Sequence, residues 1–156
     1  MAKTAVLIRH NFEMAHRLPV LPGKCMNLHG HGWWAEITVE GPMDSNGVIV
    51  EYGRLKKSVR EWIDAYLDHG TALGIDDPLI KALDEDPYHS KTFVFGADED
   101  YPEFPWPTVE AIAHLLAETT QNLIDKTVGL SGLVTRVKVD ETHVNSAIWT
   151  REEHDL

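Results

Sequence analysis

Two stretches near the start of the chain alternate between apolar and polar residues, a pattern typical of a strand with one buried face. The first runs from Ala5 to His16, and the second runs from His29 to the turn-forming GPMDSNG segment. The histidines that end the first stretch and begin the second share the parity of the apolar residues in their own stretch. They are therefore expected to point toward the same face as the apolar side chains.

Helical spacing replaces this alternation in two later segments. Residues 53 to 69 place their apolar side chains on one stripe, with most charged residues outside it. The segment PTVEAIAHLLAETTQNLI predicts a second helix, for which Thr108 is the expected N-cap. Alternation returns between Leu133 and Glu141, with Glu141 on the apolar side, and a short last strand is predicted near Ser146 to Arg151.

The order of two strands, two helices and two strands predicts an α+β domain. Its sheet is expected to be four-stranded and antiparallel, with both helices packed on one face and the other face in need of a cover. Residues 74 to 106 interrupt this order with four prolines, and we interpret them as an elaborated loop in which TFVFG indicates one strand. Residues 1 to 156 are expected to form a single domain.

The composition argues against several classes of function. The net charge is −11 and the largest basic cluster is the short GRLKKSVR segment, which argues against an extended nucleic-acid interface. There is no charged leader followed by an apolar segment and no apolar run long enough to cross a bilayer, so we expect a soluble, cytoplasmic protein. Cys25 is the only cysteine, which rules out an internal disulfide and suits a reducing compartment.

Three of the nine histidines are placed for metal binding. His29 and His31 project from the same face of one strand, and a neighbouring strand would bring His16 opposite them. Three imidazoles form an incomplete tetrahedral shell for Zn²⁺ and leave one position for water or a substrate oxygen. An H-x-H pair alone is a weak signal, because paired strand histidines also occur as polar surface or as satisfied core groups. Apart from His69, the remaining histidines lack a spaced partner, and we expect them to be structural or exposed.

Four further residues leave their chemistry open. Cys25 stands four positions before His29, so it is either a metal ligand or a thiol beside the site that acts as a general base. Asp68 and His69 of LDHG form either a proton relay or an ordinary helix C-terminus. Glu141 either binds the N–H donors of a ligand on the apolar side of its strand or is solvated at the strand end.

Taken together, these segments resemble the 6-pyruvoyl-tetrahydropterin synthase and 6-carboxytetrahydropterin synthase family. The matching motifs run in family order over nearly the whole chain: FEMAHRLP, CMNLHGHGWWAEITVEG, GVIVEYGRLK, LDHG, PTVEAIAHLL and VDETHVNSAIW. The C-x3-HGH spacing resembles the 6-carboxytetrahydropterin branch. Glu51 and Tyr52 stand where the family usually has Asp and Phe, GWW is bulkier than usual, and the segment from 74 to 106 is longer than in compact members.

The resemblance implies a role for each candidate residue. The implied zinc ligands are His16, His29 and His31. The implied proton-transfer set is Cys25 as general base with Asp68 and His69. The implied substrate contacts are Glu141, which anchors the N–H edge of the pterin, with Thr108 and Thr142. Arg17 and Lys24 are candidates for binding the triphosphate by location alone.

The implied reaction converts 7,8-dihydroneopterin triphosphate to 6-carboxy-5,6,7,8-tetrahydropterin, acetaldehyde and triphosphate, on the pathway to 7-deazaguanines such as queuosine. It requires zinc but no redox cofactor, because the substrate side chain supplies the reducing equivalents. The family has the tunnelling fold, in which subunits join their sheets into a barrel and form a homohexamer of two trimers with active sites between subunits. The alternatives are a 6-pyruvoyl-tetrahydropterin synthase or related pterin lyase, and a non-catalytic, zinc-stabilised pterin-binding protein.

Overall fold

The computed structural model describes residues 4–97 and 104–152. The strands are β1 (Ala5–His16), β2 (His29–Glu40), β3 (Gly70–Gly74), β4 (Thr92–Phe95), β5 (Leu133–Asp140) and β6 (Ser146–Thr150). The helices are α1 (Tyr52–Tyr66), α2 (Leu79–Asp84) and α3 (Val109–Lys126), and a 3₁₀ turn spans Lys24–Met26. The predicted α+β class is confirmed, as are the two long helices.

One sheet contains all six strands, in the order β4-β3-β1-β2-β5-β6. β1, β2, β5 and β6 pair antiparallel as predicted, and the β1–β2 register places His16 opposite His29. The prediction of a four-stranded, wholly antiparallel sheet was wrong, because β3 and β4 extend the sheet in parallel orientation. β3 escaped detection because four of its five residues are buried, so it shows no alternation of polarity.

The segment from 74 to 106 is more ordered than the predicted loop. It contains α2 and β4, so TFVFG forms the expected strand, while residues 98–103 of the segment lie outside the described residues. The part of the segment that returns toward α3 packs directly on the end of β3. A Cβ atom at Gly74 would collide with the Trp106 ring and with the carbonyl oxygen of Pro105, so only glycine fits there.

Helices α1 and α3 cover one face of the sheet, as predicted. The Glu51 side chain caps α1 by accepting hydrogen bonds from its first N–H groups, and Thr108 caps α3 by accepting from the Ala111 N–H at 3.1 Å. The largest fully buried side chains between sheet and helices include Trp33, Phe12, Ile37, Leu55, Ile63 and Ile112. Within the described ranges, none of the helices has the length and apolar character needed to cross a membrane.

The opposite face of the sheet is exposed and largely polar. An ion pair between Arg9 and Glu36, 2.9 Å long, lies on this face, and the Trp34 side chain beside it is 51% exposed. Three strand edges are also open within the described part of the chain, the first being the outer edge of β4, which pairs only with β3. β3 pairs only with the last three residues of β1, which leaves residues 5–13 of β1 without a strand partner on that side, and β6 pairs only with β5.

Candidate active site

Three histidine rings converge where β1 ends and β2 begins. His16 lies directly opposite His29 in the β1–β2 register, and His31 follows two residues along β2 on the same face. The ring centroids are 4.7 Å apart for His16 and His29, 4.8 Å for His29 and His31, and 5.3 Å for His16 and His31. One nitrogen from each ring lies within 4.8 Å of the other two, so the three side chains can hold a single metal ion.

Backbone carbonyls orient two of these rings. The His16 Nδ1 lies 2.8 Å from the Pro107 carbonyl oxygen, and the His29 Nδ1 lies 2.7 Å from the Asn27 carbonyl oxygen. A carbonyl only accepts, so each Nδ1 must carry the proton and each Nε2 keeps its lone pair. The Nε2 atoms of His16 and His31 are buried without a hydrogen-bond partner among the described residues. Oriented imidazoles with an unused nitrogen are what a metal site requires, so the donor set fits a divalent ion.

The environment also keeps the His16 and His31 rings neutral. Burial lowers the pKa of His16, an effect that its hydrogen bond to Pro107 opposes. Burial likewise lowers the pKa of His31, and the Glu141 carboxylate opposes it there. Metal ions bind the neutral form of imidazole, so both rings are in the binding state at neutral pH.

Glu141 reaches the same place from β5, just beyond its last residue. Its Oε1 lies 3.4 Å from the His16 Nε2 and 3.7 Å from the His31 Nε2. The side chain is 17% exposed, so it is neither solvated at the strand end nor buried in the core. The inward parity deduced from the sequence therefore brings a carboxylate to the histidine cluster.

Asp68 and His69 form a second pair, just after α1. The His69 Nδ1 lies 2.8 Å from Asp68 Oδ2, and Asp68 Oδ1 accepts the Glu13 N–H at 2.8 Å. His69 adopts a positive φ of 56° and leaves its side chain 77% exposed. Partial burial works against ionisation of Asp68, but the Glu13 N–H, His69 and Lys91 together hold its pKa below the usual value.

This pair lies on the other side of the sheet from the histidine cluster. His69 borders a cleft of about 320 Å³ whose lining also includes Glu13, Gly30, His31 and Gly32. The positions of Glu13, Gly30 and Gly32 alternate with those of the buried strand residues, so their side of the sheet is opposite to the one toward which the cluster side chains point. A Cβ atom at Gly32 would meet the Glu13 carboxylate, which shows that both face the same way. A single chain therefore brings together His16, His29, His31 and Glu141, but not Asp68 and His69 with them.

Comparison with known proteins gives this arrangement its context. A family model described as 6-pyruvoyl tetrahydropterin synthase matches residues 5–152. The chain belongs to this family. A relative from Rickettsia typhi, named 6-carboxy-5,6,7,8-tetrahydropterin synthase, is 32% identical over 136 residues, which cover 86% of this chain and 91% of the relative.

Solved structures of other proteins share the fold of this chain. An uncharacterised protein of Wolinella succinogenes superimposes with a TM-score of 0.76 at 20% identity, covering 97% of this chain and 100% of that one. The 6-pyruvoyl tetrahydropterin synthase of Caenorhabditis elegans gives a TM-score of 0.64 at 19% identity, with 97% and 98% covered. The tunnelling fold expected from the resemblance is therefore confirmed.

Cys25 is a free, exposed thiol in the 3₁₀ turn. The group of described side chains that can hold a metal comprises the three histidines without it. A backbone hydrogen bond of 2.7 Å from the Leu18 N–H to the Cys25 carbonyl oxygen fixes the turn. This geometry favours a thiol outside the metal shell, and its role as a general base stays a prediction.

The two threonines expected to contact the pterin already have structural partners. Thr108 Oγ1 caps α3, and Thr142 Oγ1 accepts the N–H groups of Val144 at 3.2 Å and Asn145 at 3.0 Å. Thr142 thus stabilises the turn that follows Glu141. A hydroxyl that accepts from the backbone still has a proton to donate, so contact with a substrate stays a prediction for both.

The two residues considered for the triphosphate differ in their surroundings. Arg17 forms a two-pronged ion pair with Asp77, whose side chain is fully buried, and this pairing raises the pKa of Arg17. It therefore ties the end of β1 to the segment after β3 instead of pointing a free cation at a ligand. Lys24 lies in the exposed turn next to Cys25 and stays a candidate.

Two residues that shape the cluster were not singled out by sequence reasoning. The Trp33 ring is fully buried, meets the His16 and His31 rings edge-on at 5.1 and 5.4 Å, and donates its Nε1–H to the Met14 carbonyl oxygen at 3.0 Å. The unusually bulky GWW motif, which contains Trp33, was the sequence signal that could have pointed to this residue. Pro107 orients His16 from 91 positions away, and no sequence pattern announces a carbonyl contact of that kind.

Proposed function

We propose that the chain is a zinc-dependent 6-carboxytetrahydropterin synthase that acts on 7,8-dihydroneopterin triphosphate. The observation that carries the proposal is the convergence of three imidazoles with free metal-binding nitrogens and the Glu141 carboxylate. The relative from Rickettsia typhi, which bears this name and aligns along most of both chains, supports the same reading. A cytoplasmic location and a place in queuosine biosynthesis follow from the resemblance and belong to the proposal.

The histidine cluster and Glu141 would divide the work of binding. His16, His29 and His31 would hold the ion, and zinc bound there supplies a Lewis acid that makes the hydroxyls of the substrate side chain more acidic. Glu141 accepts hydrogen bonds only, which suits the adjacent N–H donors on the edge of a pterin ring. Trp33 closes the floor of the site beneath His16 and His31 and excludes water from that side.

Asp68, His69 and Cys25 would move the protons. Asp68 accepts the Nδ1–H of His69, which leaves the His69 Nε2 as the atom that takes up or releases a proton. The lowered pKa of Asp68 keeps this carboxylate charged at neutral pH, so it can stabilise His69 when that ring gains a proton. The Cys25 thiol would remove a proton from the substrate side chain as its thiolate.

The overall reaction balances without an external oxidant or reductant. The first carbon of the substrate side chain becomes the carboxylate, and the second and third leave as acetaldehyde after the bond between the first two breaks. Oxidation of the first two carbons is balanced by reduction of the pterin ring and of the third carbon, which loses triphosphate. One water enters, and the protons released pass to the acid–base groups and then to solvent.

A complete site requires a second copy of the chain. Because Asp68 and His69 lie across the sheet from the histidine cluster, we propose that they serve the cluster of a neighbouring subunit. The open edges of β1 and β6 and the exposed sheet face support such an assembly, since pairing of edges would continue the sheet from one subunit into the next. The barrel and the hexamer of two trimers implied by the resemblance have this character.

Product analysis tests the proposed reaction. Zinc-loaded protein is incubated with 7,8-dihydroneopterin triphosphate, and acetaldehyde, triphosphate and 6-carboxy-5,6,7,8-tetrahydropterin are measured in equal amounts. His31→Ala should abolish turnover, whereas His89→Asn, at an exposed position outside the cluster, should not. Release of triphosphate with a 6-pyruvoyl product and no acetaldehyde would assign the sibling reaction, and binding without turnover would assign the non-catalytic role.

Mixing two inactive variants tests the shared site. His31→Ala removes a residue of the cluster, and His69→Ala removes a residue of the relay. If the two sets come from different subunits, dissociating and reassembling an equimolar mixture should restore part of the activity, because some hybrid sites contain both intact residues. Inactive mixtures whose subunits have demonstrably exchanged would show that each site uses residues of a single chain.

A further inference from the structure

Lys91 connects the segment from 74 to 106 to the Asp68–His69 pair. The Lys91 side chain extends from just before β4 toward the end of α1. Its Nζ donates to the Asp64 carbonyl oxygen at 2.6 Å and to the Asp68 carbonyl oxygen at 2.7 Å. A cation at the carbonyl end of a helix is favourable, because the last carbonyl groups have no partner within the helix.

The rest of Lys91 is held as firmly as its ammonium group. Its backbone carbonyl oxygen accepts the Thr71 N–H at 3.0 Å, which places it beside the start of β3. Its alkyl chain crosses Gly70 so closely that a Cβ there would lie 3.0 Å from Lys91 Cδ and 3.1 Å from Cγ. The Lys91 side chain can therefore cross position 70 because glycine has no side chain there.

The contact with Asp68 bears on the conformation of His69. Residues other than glycine occupy the left-handed region only where their surroundings hold them there, and His69 has a φ of 56°. That torsion rotates the peptide unit between Asp68 and His69. Both polar groups of this unit are bonded to neighbouring segments: the carbonyl oxygen to Lys91 at 2.7 Å and the N–H to the Glu13 carbonyl oxygen at 2.7 Å.

We propose that Lys91 is a positioning residue for Asp68 and His69. It locks the peptide plane that sets the direction of the His69 ring, and its charge favours the ionised form of Asp68. The segment from 74 to 106 would thereby contribute to the site through Lys91. Its location on the surface does not by itself indicate this role. This inference rests on the proposed role of the pair in proton transfer.

Replacing Lys91 by methionine removes the ammonium group and keeps an unbranched chain over Gly70. Amide hydrogen exchange at His69 and Gly70 should become roughly ten- to a hundredfold faster, the range expected for loss of a hydrogen bond to a charged group. Exchange in β2 and the urea midpoint should stay near wild type. Lys81→Met is the matched control, because Lys81 lies on α2 of the same segment with its side chain 82% exposed.

Kinetics then separate positioning from simple support. We expect Lys91→Met to lower kcat at least roughly tenfold with little change in KM, and Lys91→Arg, which restores a cation, to recover part of the loss. Unchanged exchange at His69, faster exchange throughout the protein, or an unchanged kcat would each overturn the inference. If the wild type makes none of the proposed products, the proposed function fails, while the exchange data still decide whether Lys91 holds the pair.

Discussion

The buried histidine of β1 gives the most direct test of how burial and charge act in this fold. His10 is 3% exposed on the helix side of the strand, and neither ring nitrogen has a hydrogen-bond partner within the described residues. Burial, followed by the charges of Arg60 and Lys56, lowers the pKa of His10 from 6.5 to about 4, against the opposing charge of Asp64. The folded protein therefore keeps this ring neutral at a pH where the unfolded chain protonates it.

The direction of the effect follows from which state binds the proton. Below pH 6.5 the unfolded state gains a proton that the folded state refuses, so stability falls until the pH reaches about 4, where both states are protonated. One pKa unit corresponds to 1.36 kcal/mol, which makes the loss between pH 7 and pH 4.5 about 2.5 kcal/mol. The buried cluster histidines add losses in the same direction, so the share of His10 must be taken as a difference between proteins.

His10→Leu isolates that share. We expect the free energy of unfolding, measured by urea titration at fixed protein concentration, to fall between pH 7 and pH 4.5 by about 2.5 kcal/mol less in the variant than in the wild type. At pH 7 the variant should also be more stable, by about 1–3 kcal/mol, because two buried nitrogens without partners are removed.

Thr120→Val is the matched control for this measurement. Thr120 is 1% exposed on α3, and its Oγ1 is likewise without a partner among the described residues, but its side chain does not titrate. This variant should gain stability equally at both pH values. If wild type and His10→Leu lose the same free energy between pH 7 and pH 4.5, His10 is protonated in the folded state or satisfied by water, and the reasoning is refuted.

Three further substitutions test the site and the fold. Glu141→Ala should weaken pterin binding roughly tenfold or more in a titration, as expected for a charged acceptor, and leave the zinc content of the purified protein near wild type; equal loss of both would mark a structural role. Cys25→Ala should retain zinc in metal analysis, whereas His31→Ala should lose it. Cys25→Ala should also lower kcat by about 100-fold or more, and an unchanged kcat would exclude the thiol as the general base. Gly74→Ala should lower the free energy of unfolding in urea by about 1–3 kcal/mol, because its Cβ meets the Trp106 ring, and an unchanged midpoint would contradict the packing there.

Periodicity predicted the parts of the fold in which one face is buried and the other exposed. β1 and β2 alternate in polarity along their length. The sequence therefore predicted both strands and the face of the sheet toward which their histidines point. The same rule put the Glu141 side chain on the side of the cluster. β3 could not be predicted in this way, because a strand that is buried on both faces resembles any short apolar run in the sequence.

The candidate site was predictable only as far as it depends on strand parity. Contacts such as Pro107 to His16, or Lys91 to Asp68, join segments that are distant in the sequence and have no motif. Arg17 is a further example. Its position beside His16 suggested a contact with the ligand, but its guanidinium group forms an ion pair with Asp77. Pairings of this kind depend on the packed tertiary structure, which a single sequence does not display.

Strand parity also underlies the proposal that two copies of the chain share one site. His16 and His31 must share the face of Trp33 to converge, and a shift by one residue would turn either ring to the opposite face. The Asp68–His69 pair is joined to the backbone of Glu13, whose side chain has the opposite parity, so its cleft opens away from the helices. No local rearrangement of a rotamer carries a ring through a sheet. We therefore propose that the helix-side cluster of one subunit faces the cleft side of another, and mixing His31→Ala with His69→Ala is the most direct test of this arrangement.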